Sequence, residues 1–290
     1  MIYLLLVSLI WAFSFGLIKT NLTSINPILV TMVRLAFAAI VFLPVFRFRK
    51  LNRPLASQLI LIGILQFGLM YLFYNLSFQY LKAYEVALFT IFTPFYVALS
   101  HSLLERKWNS TYILTAVIAI IGTAIIKYTD VSRPGLMFGF LIVQASNICF
   151  AIGQVLYRRV MRKNPGIKDS EIFAVLYTGG FLIASVVSVF LVDWSTVAIS
   201  STQWWNLIYL GILASGCGFF LWNYGARRTN IGALAVFNNL KIPLSITVSL
   251  LFFNEQANML NLLLGGMIIV LALAVNEIID FRKHRLENPT

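Results

Sequence analysis

In a chain of 290 residues that is 60% hydrophobic and only 11% charged, water is not the main solvent, since soluble domains carry about 25% charged residues. A bilayer core about 30 Å thick takes roughly 20 apolar residues per helix, so ten crossings use about two thirds of this length and leave no room for a soluble domain. The formal charge of +12 falls between apolar runs and not along one face, which argues against a nucleic-acid surface and for basic cytoplasmic loops.

The first apolar run, 2–18, has no basic segment before it and flows into Trp11-Ala12-Phe13-Ser14-Phe15. It therefore reads as a retained helix, not a cleaved leader. Further runs follow at 28–46, 58–79, 84–103, 110–127, 135–158, 171–191, 204–224, 232–253 and 260–280. The breaks between them carry turn chemistry, as in Asn26-Pro27, Arg53-Pro54, Arg133-Pro134 and Asn164-Pro165. Sixteen of the 22 basic residues fall in one alternate set of connections: Arg47 to Arg53, Arg106-Lys107, Arg158 to Lys168, Arg227-Arg228 and Arg282 to Arg285. The opposite set holds four, Lys19, Lys82, Lys127 and Arg133. The positive-inside rule then predicts a multi-pass protein of the bacterial inner membrane with both termini in the cytoplasm. Cys149 and Cys217 lie inside apolar runs and suggest neither a disulfide nor a metal site.

The third and eighth runs match at an offset of 148 residues. Gly63-Ile64-Leu65 meets Gly211-Ile212-Leu213, Gly68 meets Gly216, and Tyr74-Asn75 meets Trp222-Asn223. Ala87 and Phe89 meet Ala235 and Phe237, and Pro94 meets Pro243 with one residue of slip. Phe13 and Gly16 of the first run likewise correspond to Phe150 and Gly153 of the sixth. Five spans per half is an odd number, so the halves, 1–130 and 131–290, enter the membrane in opposite directions. The expected fold is an all-α membrane protein of ten transmembrane helices, built as two inverted five-helix repeats. Many secondary transporters use that architecture for alternating access.

Polar groups inside the spans are the candidate site, because an unpartnered one in hydrocarbon costs several kcal/mol. Lys241 stands near the middle of the ninth run, two residues before Pro243, with Asn238 and Asn239 within a turn. It is expected to offer its charge to a substrate carboxylate while the asparagines bond polar groups; the alternative is an internal pair or a snorkelling side chain. Arg34 in the second run either clamps a carboxylate or ties neighbouring helices together. Glu85 begins the fourth run, as a helix-capping acid, as an ion-pair partner for Arg34 or as a group for proton coupling. Asn75 and Asn223 suit gating or helix–helix hydrogen bonds. Gln144, Asn147 and Gln154 form a polar stripe, and Trp11, Phe13, Phe15, Tyr71 and Tyr74 offer aromatic walls. Trp204 and Trp205 read as interfacial belt residues. The helices of Pro94 and Pro243 are expected to face each other across a cavity at the repeat interface.

What is missing matters too. No glycine-rich ATP loop occurs, so transport would draw on gradients. All ten acids lie at span ends or in loops, and His101 and His284 make no metal site. Neither a catalytic constellation nor a cofactor is expected. The expected partners are a small-molecule substrate and the lipid bilayer, not nucleic acid.

The run Leu9 to Phe15, Arg34 followed by Leu35-Ala36-Phe37-Ala38-Ala39, and Phe92-Thr93-Pro94 leading to Leu103-Leu104-Glu105 resemble the drug/metabolite transporter superfamily in its EamA-type ten-helix branch. Within it, Val41-Phe42-Leu43-Pro44, the stretch from Leu141 to Gly153 and that from Ala214 to Ala226 are similar to the biotin transporters. The ninth run departs from them at Lys241, where a histidine is expected. The resemblance implies uptake of a small carboxylate such as biotin. An exporter of amino acids or related amines on the same fold, and a non-transporting scaffold or intramembrane enzyme, are the alternatives.

Overall fold

The computed structural model describes residues 2–105, 134–229 and 231–253, with the isolated positions 267, 271 and 278. Among them every regular element is helical. Seven helices are long and apolar enough to cross a membrane: α1 (Ile2–Leu22), α2 (Pro27–Val45), α3 (Arg53–Ser77), α4 (Ala83–Leu104), α5 (Leu136–Lys163), α6 (Asp169–Leu191) and α7 (Ser201–Ala226). An eighth, α8 (Ile231–Phe252), carries Pro243 in its interior. They correspond to the first four and the sixth to ninth expected spans; those expected at 110–127 and 260–280 lie outside the described residues.

Helix starts follow local capping. Asn26 accepts from the Ile28 amide at 2.9 Å, with Pro27 in the first turn of α2. Asn52 accepts from the Leu55 amide at 2.9 Å ahead of Pro54, and so α3 begins at Arg53, earlier than its apolar run. The far end of α5 likewise runs past its apolar stretch to Lys163, because arginine and lysine are good helix formers whose heads reach water.

Three helices are interrupted in their interiors, and α1 and α2 end in a π-helical segment, Ile18–Leu22, and a 3₁₀ turn, Leu43–Val45. A π-helical segment interrupts α3 at Ile64–Leu69 and another interrupts α7 at Tyr209–Cys217. The 148-residue offset carries 64–69 onto 212–217, inside the second segment. In α4 a 3₁₀ turn, Thr90–Phe92, breaks the helix just before Pro94.

The packing pairs obey the same exchange. α1 packs on α8 and α5 on α4; α3 packs on α6 and α7 on α2; α3 meets α5 and α7 meets α1. Outward faces are apolar, with Leu5, Leu9, Phe13, Ile40, Leu141, Val186 and Phe190 exposed. A surface of that kind fits lipid and would aggregate in water. At one end of the bundle, Asp169 at the start of α6 accepts from Tyr157 of α5 and pairs with Arg227, just past α7, at 2.7 Å.

The α3–α6 contact depends on glycine. A Cβ on Gly179 would collide with the Ile60 carbonyl, and one on Gly63 with the Leu176 carbonyl. Both obstacles are helix backbone, which cannot rotate away, and small residues let membrane helices approach this closely. Gly179→Leu is therefore expected to destabilise by about 1–3 kcal/mol or more, seen as a lower melting temperature in detergent. An unchanged melting temperature would contradict this close contact.

Candidate functional site

A cavity enclosing about 540 Å³, part of it open, lies where seven of these helices converge. Trp11, Ser14 and Phe15 of α1 line it, with Arg34 of α2 and Met70, Tyr71 and Tyr74 of α3. Thr90 and Thr93 of α4, Ser146, Asn147 and Phe150 of α5, Phe219 of α7 and Lys241 of α8 complete the wall. Helical period explains the selection. Trp11 and Phe15 are one turn apart on a shared face, whereas Phe13, between them, points outward and is exposed.

The irregular helices supply this wall, and their loosened carbonyls are taken up by side chains. In α7, Leu210 O accepts from Ser215 Oγ at 2.7 Å and Ala214 O from Trp11 Nε1 at 2.9 Å. Tyr177 Oη lies 2.8 Å from both Ser215 O and Gly216 O. In α3, Met70 O accepts from Ser146 Oγ at 3.0 Å and Tyr71 O from Thr31 Oγ1 at 3.2 Å. Pro94 lacks the amide that would serve Thr90 O and crowds that carbonyl. Thr93 Oγ1 donates to Thr90 O at 2.6 Å, and Phe89 O accepts from Asn147 Nδ2 at 3.0 Å and Gln144 Nε2 at 3.3 Å. Asn147 thus borders the cavity while holding the broken α4 in place.

Arg34 is 2% exposed. Its Nε donates to Ser215 Oγ at 3.2 Å, Nη1 to Asn75 Oδ1 at 3.2 Å and Nη2 to Tyr71 Oη at 2.9 Å. The guanidinium also stacks on the Tyr71 ring, 4.2 Å from its centroid. Asn75 in turn donates to Thr31 at 2.8 Å, and Tyr71 and Ser215 bond each other at 2.8 Å. One cation therefore ties α2, α3 and α7 together through neutral oxygens. Of the readings open for Glu85, the ion pair with Arg34 does not form. Glu85 accepts instead from the Lys82 amide at 2.7 Å, as a cap at the start of α4, away from the cavity wall.

Lys241 is buried. Its Nζ donates to Asn238 Oδ1 at 3.1 Å and stands 5.5 Å from the centre of the Trp11 ring. An amide oxygen and an aromatic face compensate an ammonium only in part. Among the described residues, no carboxylate contacts Lys241 or Arg34, and none lines the cavity. Two cations therefore give this wall a positive field.

The cavity thus gathers Lys241, Arg34, Trp11, Tyr71 and Asn147, with Asn238 behind Lys241; the side chain of Asn239 lies outside the described residues. Asn75 belongs to the Arg34 network, and Asn223 accepts from Gln66 Nε2 at 3.1 Å. Pro94 and Pro243 do not border the cavity. Pro243, two residues from Lys241 and so on the opposite side of α8, is exposed. It is their neighbours Thr93 and Lys241, 148 residues apart, that border it. Thr93 and Phe219 were not among the expected site residues; the repeat points to Phe219 as the mate of Tyr71, whereas with Pro94 set on Pro243, Thr93 falls beside Ile242. Ser146 and Ser215 carry no sequence signal of their own, since their task is set by carbonyls that only the irregular helices expose.

A cavity of this size inside an apolar helix bundle, walled by loosened helices and two buried cations, defines a membrane carrier of small solutes. The chain belongs to the EamA-like transporter family, whose sequence model matches residues 1–128 and 137–276. It is 39% identical over 278 residues to a probable biotin transporter of Pseudomonas aeruginosa, covering 95% of this chain and 97% of that one. It is 35% identical over 279 residues to the biotin transporter of Salmonella typhimurium, and 34% over 279 residues to that of Escherichia coli, each covering 96% of this chain and 93% of the relative. A crystal structure shares the fold at a TM-score of 0.69 over 97% of both chains, with 18% identity. The chain is a multi-pass membrane transporter.

Proposed function

We propose that this protein takes up biotin across the bacterial inner membrane. The observation that carries the reading is the pair of buried cations facing one cavity with no acid on its wall among the described residues. A carboxylate is the ligand that such a wall favours, and an ammonium is repelled by it, which disfavours export of amines. Lys241, steadied by Asn238, holds the substrate carboxylate. Arg34 adds to the field and keeps Tyr71 and Ser215 in position. Trp11, Phe15, Phe150 and Phe219 cover the apolar body, and Asn147 and Thr93 lie within the same wall for its polar ring.

The ten-span inverted repeat completes the proposal. Its support is the exchange of packing partners between α1–α4 and α5–α8, the paired π-helical segments, and the two separate stretches that match the family. The basic residues argue for both termini in the cytoplasm. In this reading α4 and α8, loosened at Pro94 and Pro243, rock about the cavity, while Asn75 and Asn223 hold alternate gates. Labelled biotin should enter a bacterial host that lacks its own importer only when this chain is expressed, and a C-terminal reporter should read as cytoplasmic. No uptake at a normal membrane level would reject the substrate, and an external reporter would reject the topology.

A further inference from the structure

One helical turn past the cavity, α3, α5 and α7 carry a second set of polar side chains, of which the proposal above uses only Asn223, as a gate. Gln66 lies one turn before Met70, Gln154 one turn after Phe150, and Trp222 and Asn223 one turn after Phe219. α3 runs opposite to α5 and α7 in the proposed topology, so all of these displacements lead toward the same, cytoplasmic, face. All four side chains are buried, at 5% exposure or less. Gln66 and Gly153 are in direct contact, and the Trp222 ring packs on Phe150 and on Trp11.

Gln66 Nε2 donates to Asn223 Oδ1 at 3.1 Å. What remains is unpartnered among the described residues: Gln66 Oε1 and Gln154 Oε1 as acceptors, Asn223 Nδ2 and Trp222 Nε1 as donors. Rotating the Gln66 and Asn223 amides together exchanges their roles and leaves the same single donor and single acceptor. Buried polar groups are nearly always bonded, so several orphans in one layer call for a reason. The aromatic rings of Trp11, Phe150 and Phe219 pack together between this layer and the cavity.

We propose that Gln66, Gln154, Trp222 and Asn223 form a second substrate station, on the release side of the aromatic layer, for a neutral cyclic urea or amide. The inference rests on the transport reading above. A urea presents two N–H donors and one carbonyl, which the two orphan oxygens and the orphan N–H groups complement. A carboxylate would meet those oxygens without a cation among these four residues. The charged end of the substrate is therefore read in the cavity and its neutral head beyond it, once the rings part.

The test uses Gln154→Met and Trp222→Phe in the full-length protein, reconstituted in liposomes with labelled biotin. Each change deletes a polar atom that bonds nothing in this state. If those atoms are packing defects, Gln154→Met will stabilise the fold, Trp222→Phe will cost only its lost ring packing, and both will leave transport unchanged. A release station predicts instead that equilibrium biotin affinity stays within about twofold while the maximal rate falls about tenfold, the worth of one hydrogen bond. Wild-type rates in both variants would overturn the proposal, as would affinity falling in step with rate. Should Gln154→Met fail to fold, Trp222→Phe decides by the same readout. Wild-type protein that moves no biotin would count against the transport reading itself, and that control tells the two failures apart.

Discussion

Lys241→Met is expected to raise the KM for biotin roughly ten- to 150-fold while leaving membrane level and melting temperature close to wild type. A charge-assisted hydrogen bond is worth about 1.5–3 kcal/mol, which at 1.4 kcal/mol per decade gives that range. Methionine keeps the length of the side chain and makes its own contact with the face of Trp11. It also removes an ammonium that costs about 2.5–3.5 kcal/mol to place in midspan. The decisive comparison is between biotin and its amide. The amide has no carboxylate for Lys241 to hold, so its KM should change far less. Equal losses for both forms would mean that Lys241 is structural and that the carboxylate is read elsewhere.

Arg34→Met should fail differently. Removing the guanidinium strips Asn75 Oδ1 of its donor inside the bundle and breaks the link between α2, α3 and α7. One buried acceptor left bare costs about 1–3 kcal/mol, and two further charge-assisted bonds go with it. Against a total stability of about 5–15 kcal/mol, that is a large share. The expected result is a clearly lower melting temperature and folded yield, with biotin and its amide losing transport together. Arg34→Lys should recover little, because one ammonium on a flexible stem cannot present the fixed fork that meets three oxygens. A selective loss for the acid form, at unchanged melting temperature, would make Arg34 the carboxylate reader.

The contrast between these two cations marks where the sequence is informative. Apolar runs and their Asn-Pro and Arg-Pro breaks placed α1 to α8 to within a few residues, because span length and capping are local properties. Lys241 stood out since a lysine in midspan demands compensation wherever it faces. The role of Arg34 did not, since its partners Ser215, Asn75 and Tyr71 come from helices distant in the chain. Glu85 was open between capping its helix and pairing with Arg34, and helix capping claims that carboxylate. The π-helical segments were invisible for a similar reason. Nothing in Ile64–Leu69 or Tyr209–Cys217 forbids an α-helix, and in α7 the carbonyls of the wider turn are met by Trp11 and Tyr177 reaching in from other helices. The 148-residue offset was legible, yet its use for finding cavity residues required knowing that Tyr71 lines the wall, which then leads to Phe219.

Transport by this chain alone of a carboxylate that its cation-lined cavity can hold is read by exchange in liposomes. Purified protein in liposomes preloaded with unlabelled biotin should draw in labelled external biotin by exchange, saturably and above protein-free vesicles, with biotin amide competing much more weakly than the acid. Labelled biotin entering no faster than into protein-free vesicles would contradict it.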